Sequence, residues 1–122
     1  MANEIGNFEQ AYEYAKYASR IDLDDYNRNT HQGLHITSAA AAWMNIVYGF
    51  GGMRSDDEIL SFKPSLPKQW KGYSFKILYR EKILTVAIKQ GVATFTLDGD
   101  AEPIRIFDKV YNVGKEGVSV EI

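Results

Sequence analysis

At 122 residues and 13.8 kDa, with 45% hydrophobic and 25% charged residues, the chain has the composition of one globular domain, or of a small domain with part of a neighbour, and not of a disordered segment. A formal net charge of −2 and a pI near 5.6 give no electrostatic basis for nucleic acid or an anionic membrane as partner. The absence of cysteine excludes a disulfide framework, a thiolate zinc site and a thiol nucleophile, and it fits a cytoplasmic protein.

In chain order, Met1 to Gly6 shows neither the basic nor the apolar region of an export signal. Phe8–Ile21 reads as a helix, with Phe8, Ala11, Tyr12, Ala15 and Ala18 on one stripe and Tyr14, Tyr17 and Ile21 on a second. Asn7 is placed to cap it, with Gln10 three residues on as in a capping box. Two apolar stripes require neighbours on more than one side, and core packing explains the four aromatics better than ligand stacking.

Asp22 to Thr30 is a polar connector rich in turn formers. Its three aspartates lack the glycine and distal glutamate of a calcium loop, so a solvated or capping role is expected. His31 and His35 are four apart, the spacing of a two-histidine metal arrangement on a helix, but no third ligand is near and no metal site is assigned.

Ser38–Phe50 is nearly unbroken apolar sequence with Asn45 as its one strongly polar interior residue. Ala39 to Ala42 favour helix, Ser38 is a good N-cap, and Gly49, Gly51 and Gly52 supply a stop. The run falls short of the roughly 20 apolar residues of a bilayer span, so a buried helix is expected. An all-round apolar helix must be covered on every side, and one other good helix does not suffice. The expected cover is either a second copy, through Phe8–Ile21 and Ser38–Phe50, or the rest of a larger protein.

After Arg54 the pattern becomes β. Ile59–Phe62, Tyr73–Tyr79, Ile83–Lys89, Val92–Leu97, Ile104–Phe107, Val110–Val113 and Val118–Ile122 read as short strands. Arg80-Glu81-Lys82 and Gln90-Gly91 read as tight connections, and Asp98-Gly99 as a type I′ hairpin turn. Phe75, Ile77 and Tyr79 share one face, as do Leu84, Val86 and Ile88. The fold class is α+β: two helices over residues 1–54, then a small antiparallel, jelly-roll-like β-sandwich over residues 55–122.

The run Arg20-Ile21-Asp22-Leu23-Asp24-Asp25-Tyr26-Asn27, with Asn29-Thr30, Gly33-Leu34-His35-Ile36, Trp43 and Gly49-Phe50-Gly51-Gly52-Met53-Arg54, resembles the C-terminal end of maltose phosphorylases, enzymes of glycoside hydrolase family 65. The resemblance continues through Leu60-Ser61-Phe62, Pro64, Leu66-Pro67, Trp70, Tyr73 to Ile77 and Tyr79-Arg80. Ala41 stands where the family usually has glycine, and Glu81-Lys82 replaces a more usual glycine-containing turn.

The resemblance implies that both helices are the last of an (α/α)6 barrel whose other helices lie upstream of Met1. It also implies an inverting phosphorolysis, in which a glutamic acid protonates the departing glycosidic oxygen while phosphate attacks the opposite face of the sugar. Neither Glu4, Glu9 nor Glu13 matches that glutamate, so no catalytic residue is expected and the chain alone should be inactive. No metal or organic cofactor is implied, inorganic phosphate being the co-substrate and a disaccharide the partner. His35 matches the family histidine that contacts phosphate, with Thr37 and Ser38 as weaker candidates. N-capping explains Ser38 equally well, and Arg54, Trp43 and Trp70 are read as structural, the tryptophans as core aromatics. A competing expectation is a non-catalytic carbohydrate-binding or structural β-module.

Overall fold

The computed structural model describes all 122 residues, which divide into two compact units, Met1–Gly49 and Phe50–Ile122. The division falls inside the glycine cluster, a few residues before the expected 54/55 boundary. Phe50 sets it there, because its ring packs edge-on against Trp70 at 4.9 Å and near Tyr73 at 6.5 Å, both in the second unit.

The first unit is helical. Helix α1 spans Phe8–Arg20 and is capped as its sequence predicts, Asn7 accepting the Gln10 main-chain N–H at 3.3 Å. Arg20 closes the far end with a two-pronged ion pair to Asp24, both contacts at 2.6 Å. A 3₁₀ turn over Thr30–Gln32 leads into α2, Ile36–Met44, which widens into a π-helical turn over Asn45–Phe50. Helix α1 packs on α2. Neither this helix nor any other in the chain is long and apolar enough to cross a membrane.

This unit buries little. Ala15 is the one buried residue of α1, α2 has none, and Val47 is buried in the π-helical turn. Phe8, Tyr14, Tyr17, Leu34, Ile36, Trp43, Met44 and Tyr48 are all exposed. Trp43, expected to be a core aromatic, is 47% exposed in this chain and meets Tyr48 edge-on at 6.3 Å. A short Ala-rich helix has too little surface facing α1 to enclose a large ring on its other side.

The second unit is a two-sheet sandwich. Strands β2 (Gly72–Tyr79), β3 (Lys82–Lys89), β4 (Val92–Leu97) and β7 (Val118–Glu121) form one antiparallel sheet in that order. Strands β1 (Ser61–Phe62), β5 (Glu102–Ile106) and β6 (Lys109–Val113) form the other, in the order β1-β5-β6. Leu84, Val86 and Ile88 alternate inward with Ala93, Phe95 and Leu97, and they meet Phe62, Ile104, Ile106 and Val113 of the facing sheet. The Phe62 and Phe95 rings, 5.2 Å apart, join the layers.

Two expectations change. The sheets are not wholly antiparallel, because β1 runs parallel to β5, Ser61 opposite Arg105 and Phe62 opposite Ile106. Asp98-Gly99 does not close a hairpin. β4 pairs with β7, and the chain leaves Leu97 for the other sheet, Gly99 lying at φ 154° rather than in the left-handed well of a I′ turn. The two-residue turns are Arg80-Glu81, with φ of 48° and 66°, Gln90-Gly91, with φ of 52° and 78°, and Phe107-Asp108, with Phe107 at φ 55°. Beside the first, Glu102 accepts from Lys82 at 2.8 Å and Arg80 at 2.7 Å, tying the β2–β3 turn to β5.

Gly52 is required by its surroundings. It has φ of 62°, and a Cβ there would stand 2.5 Å from the Lys63 carbonyl oxygen. Backbone is on the other side of that clash, so no side chain can rotate away. Gly52→Ala is therefore expected to cost more than the roughly 1–2 kcal/mol of left-handed strain alone. The measurement is the urea midpoint of the β-unit, followed by Trp70 fluorescence.

Candidate functional site

The best-organised polar cluster of the helical unit surrounds His35. Ser38 was expected to cap the second helix, but the helix begins three residues earlier than that cap implies and His35 itself is the N-cap residue. Ser38 and Ala39 both direct their main-chain N–H groups to the His35 carbonyl, at 2.9 and 3.1 Å. Ser38 therefore lies at the third helical position with its N–H already used, and Thr37 precedes it on an exposed surface. The physical reason is remote in sequence. One oxygen of the Asp22 carboxylate accepts the His35 main-chain N–H at 2.9 Å, so the cap comes from thirteen residues away.

The other Asp22 oxygen meets Nδ1 of the His35 ring. An ionised carboxylate only accepts, so Nδ1 carries a proton. The ring's second nitrogen, Nε2, lies 3.1 Å from the Asn29 amide nitrogen. Asn29 Oδ1 is buried without a hydrogen-bond partner. Turned over, the same amide would present that oxygen to an Nε2–H. Asn29 thus accommodates Nε2 with or without a proton, whereas Asp22 holds a proton on Nδ1 throughout.

The Asp22 carboxyl is held below the ordinary aspartate range, chiefly because the His35 ring donates to it and next because the His35 main-chain N–H does. A depressed folded value means that the carboxylate stabilises the fold above the unfolded aspartate pKa of about 3.9, and that this contribution is lost as pH falls through the folded value. Thermal melts of the chain followed by far-UV circular dichroism are expected to lose stability on acidification below about pH 4. The Asp22→Asn variant should start lower and lose less over the same range.

The remaining candidates separate from this cluster. His31 sits in the 3₁₀ turn and His35 at the start of α2, so the two do not form an i,i+4 pair on one helix. No group of three or more His, Cys, Asp or Glu side chains is arranged to hold a metal ion. Arg54, expected to be structural, forms a two-way main-chain bridge with Ser61 at 2.9 and 3.0 Å while its guanidinium donates to the Met53 carbonyl. Trp70 and Tyr73 pack on each other at 6.0 Å. The exposed large apolar side chains of the β-unit are the aliphatic Leu78, Ile83, Val92, Val110 and Ile122, while Trp70, Tyr73, Tyr79, Phe107 and Tyr111 are half-buried. Asp22 and Asn29 were not singled out as site residues. The pointers to Asp22 were its place in a turn-forming acidic run, where capping was expected, and, as for Asn29, its place among the residues that carry the family resemblance.

The chain thus runs from a helical unit, with His35 at a helix N-terminus, into a two-sheet unit. Residues 1–44 match the glycosyl hydrolase family 65 central catalytic domain, and residues 53–113 match the glycosyl hydrolase family 65, C-terminal domain. The chain belongs to glycosyl hydrolase family 65. It is 45% identical over 97 residues to a maltose phosphorylase of Bacillus subtilis, covering 80% of this chain and 13% of that one. It is 43% identical over 110 residues to an alpha,alpha-trehalose phosphorylase of Thermoanaerobacter brockii, covering 89% of this chain and 14% of that one. A solved chain provisionally described as a kojibiose phosphorylase from human microbiome superposes with a TM-score of 0.92 at 39% identity, over 99% of this chain and 17% of that one. The chain thus spans about one seventh of the length of the curated relatives it matches.

Proposed function

We infer that this chain supplies the phosphate-side wall and the C-terminal β-domain of an inverting disaccharide phosphorylase. The observation that carries this reading is the placement of His35 at the N-terminus of a nine-residue helix, held there by Asp22, in a chain whose named relatives are phosphorylases. Phosphate is a dianion near neutral pH. A helix N-terminus offers it oriented N–H groups and a favourable dipole, and an imidazole N–H adds a charge-assisted hydrogen bond. His35 is the principal ligand, with the Thr37 and Ser38 hydroxyls as secondary ones.

The chemistry is direct displacement at the anomeric carbon. A general acid protonates the departing glycosidic oxygen as phosphate attacks from the opposite face, giving a sugar 1-phosphate of inverted configuration and a free sugar. This chain holds neither that acid nor the sugar subsites. It is expected to show no phosphorolysis of maltose, trehalose or kojibiose on its own, the three disaccharides named among its relatives. Maltose is the disaccharide we propose, the cytoplasm the location, and no cofactor is needed. The exposed helical face is proposed to lie against neighbouring barrel helices, or against a second copy when the chain is alone; a strictly monomeric species in light scattering would remove the second part.

The test is a chimera: the Bacillus subtilis maltose phosphorylase with its matching C-terminal segment replaced by this chain. The expected result is phosphate-dependent release of glucose from maltose. A folded chimera that cleaves maltose equally well without phosphate would overturn the assignment.

A further inference from the structure

The contacts around His35 carry a second assignment, which rests on the phosphate reading above. Asp22 grips one residue twice, taking the main-chain N–H of His35 on Oδ2 and the ring Nδ1 on Oδ1. The two contacts act on different freedoms. The main-chain bond fixes where α2 begins, and the ring bond fixes the rotation and tautomer of the imidazole. Asp22 sits in the turn that follows α1, held by the Leu23 and Asp24 main-chain N–H groups on the Arg20 carbonyl, both at 2.9 Å, and by the Arg20–Asp24 pair. The Asn29 amide nitrogen stands 3.1 Å from Nε2, so an anion that meets this nitrogen takes the place of that amide, the His35 side chain being 31% exposed.

We propose that Asp22 is a positioning residue for phosphate: by binding both the main-chain N–H and Nδ1–H of His35, it commits Nε2 as the ring nitrogen that meets the anion and aligns it with the N-terminus of α2. Without Asp22 the ring can place its single neutral-form proton on either nitrogen and can rotate about two torsions. In an Asp22→Asn variant the side-chain oxygen could serve one of the two donors, but the amide N–H₂ would face the other. The conservative variant therefore breaks the grip without changing its size.

Two measurements test this. In the 122-residue chain labelled with ¹⁵N at histidine, long-range ¹H–¹⁵N spectra are expected to show His35 in the Nδ1–H tautomer, and Asp22→Asn to mix the two tautomers. A wild-type ring in the Nε2–H form, or a tautomer unmoved by the substitution, would overturn the proposal. In the maltose phosphorylase chimera, Asp22→Asn is expected to raise the KM for inorganic phosphate about tenfold, the loss of one well-formed charge-assisted contact, while leaving the KM for maltose unchanged. A structural role alone would lower the melting temperature and leave the phosphate KM where it was. His35→Ala separates the two levels. If it leaves the phosphate KM unchanged, the phosphate reading fails. If it raises that KM and Asp22→Asn does not, only the positioning role fails.

Discussion

Replacing Phe95 by alanine is expected to lower the unfolding free energy of the β-unit by about 3–5 kcal/mol. Phe95 is fully buried, and its ring stands 5.2 Å from that of Phe62 across the two sheets. Phe75 extends the stack, 6.4 Å from Phe62. Truncation removes the ring's transfer free energy and leaves a cavity that two hydrogen-bonded sheets cannot collapse to fill. Small domains have about 5–15 kcal/mol in all, so the variant should lie near or beyond the point of unfolding. Urea titration of a Trp43→Phe background, in which Trp70 alone reports, measures it. Leu78→Ala, at a 73% exposed site on the outer strand, is the control and should change stability by less than about 0.5 kcal/mol. If the Phe95 effect were below about 1 kcal/mol, the two sheets would not share the core described here.

The second large effect concerns the anion. In the maltose phosphorylase chimera, His35→Ala is expected to raise the KM for phosphate about 10- to 100-fold, the equivalent of roughly 1.5–3 kcal/mol for a hydrogen bond to a charged group. The disaccharide KM should move far less, because His35 is proposed to meet the phosphate and not the sugar. His35→Ala also deprives the Asp22 carboxylate of its ring donor, so a thermal melt of the variant must accompany the kinetics. Loss of stability without a change in phosphate KM would assign His35 to the fold and not to the site.

Much of the sandwich was legible because period-two patterning is written directly into Leu84, Val86 and Ile88 and into Ala93, Phe95 and Leu97. The Gln90-Gly91 turn followed from a local preference for positive φ. The start of α1 was likewise local, Asn7 capping it as expected. Errors arose where a distant partner overrode a local signal. Asp98-Gly99 has hairpin chemistry, but β4 is taken by β7 and the chain turns away to another sheet. The parallel match of Ser61 to Arg105 has no signature in either segment. Ser38 looked like a cap because serine caps well, yet Asp22 captured the His35 N–H first. For the site, His35 was recognisable through family resemblance, whereas Asp22 and Asn29 were hidden in a polar connector. Nothing in their spacing announces that the connector folds back on the helix start.

The parallel pairing of β1 with β5 also bears on how the β-unit is born. β2, β3 and β4 are joined by two-residue turns, so their ladder can zip from contacts close in sequence. The opposite layer does so only in part: β5 and β6 close over Phe107-Asp108, but Phe62 must await Ile106 before it finds its neighbour. High contact order of this kind slows the closing step of folding. During synthesis, a three-stranded meander should therefore emerge first with its oily inner face uncovered, and it should remain adhesive until the residues around Ile106 have left the ribosome. Nascent chains arrested before that point are the ones that chaperones would be expected to hold.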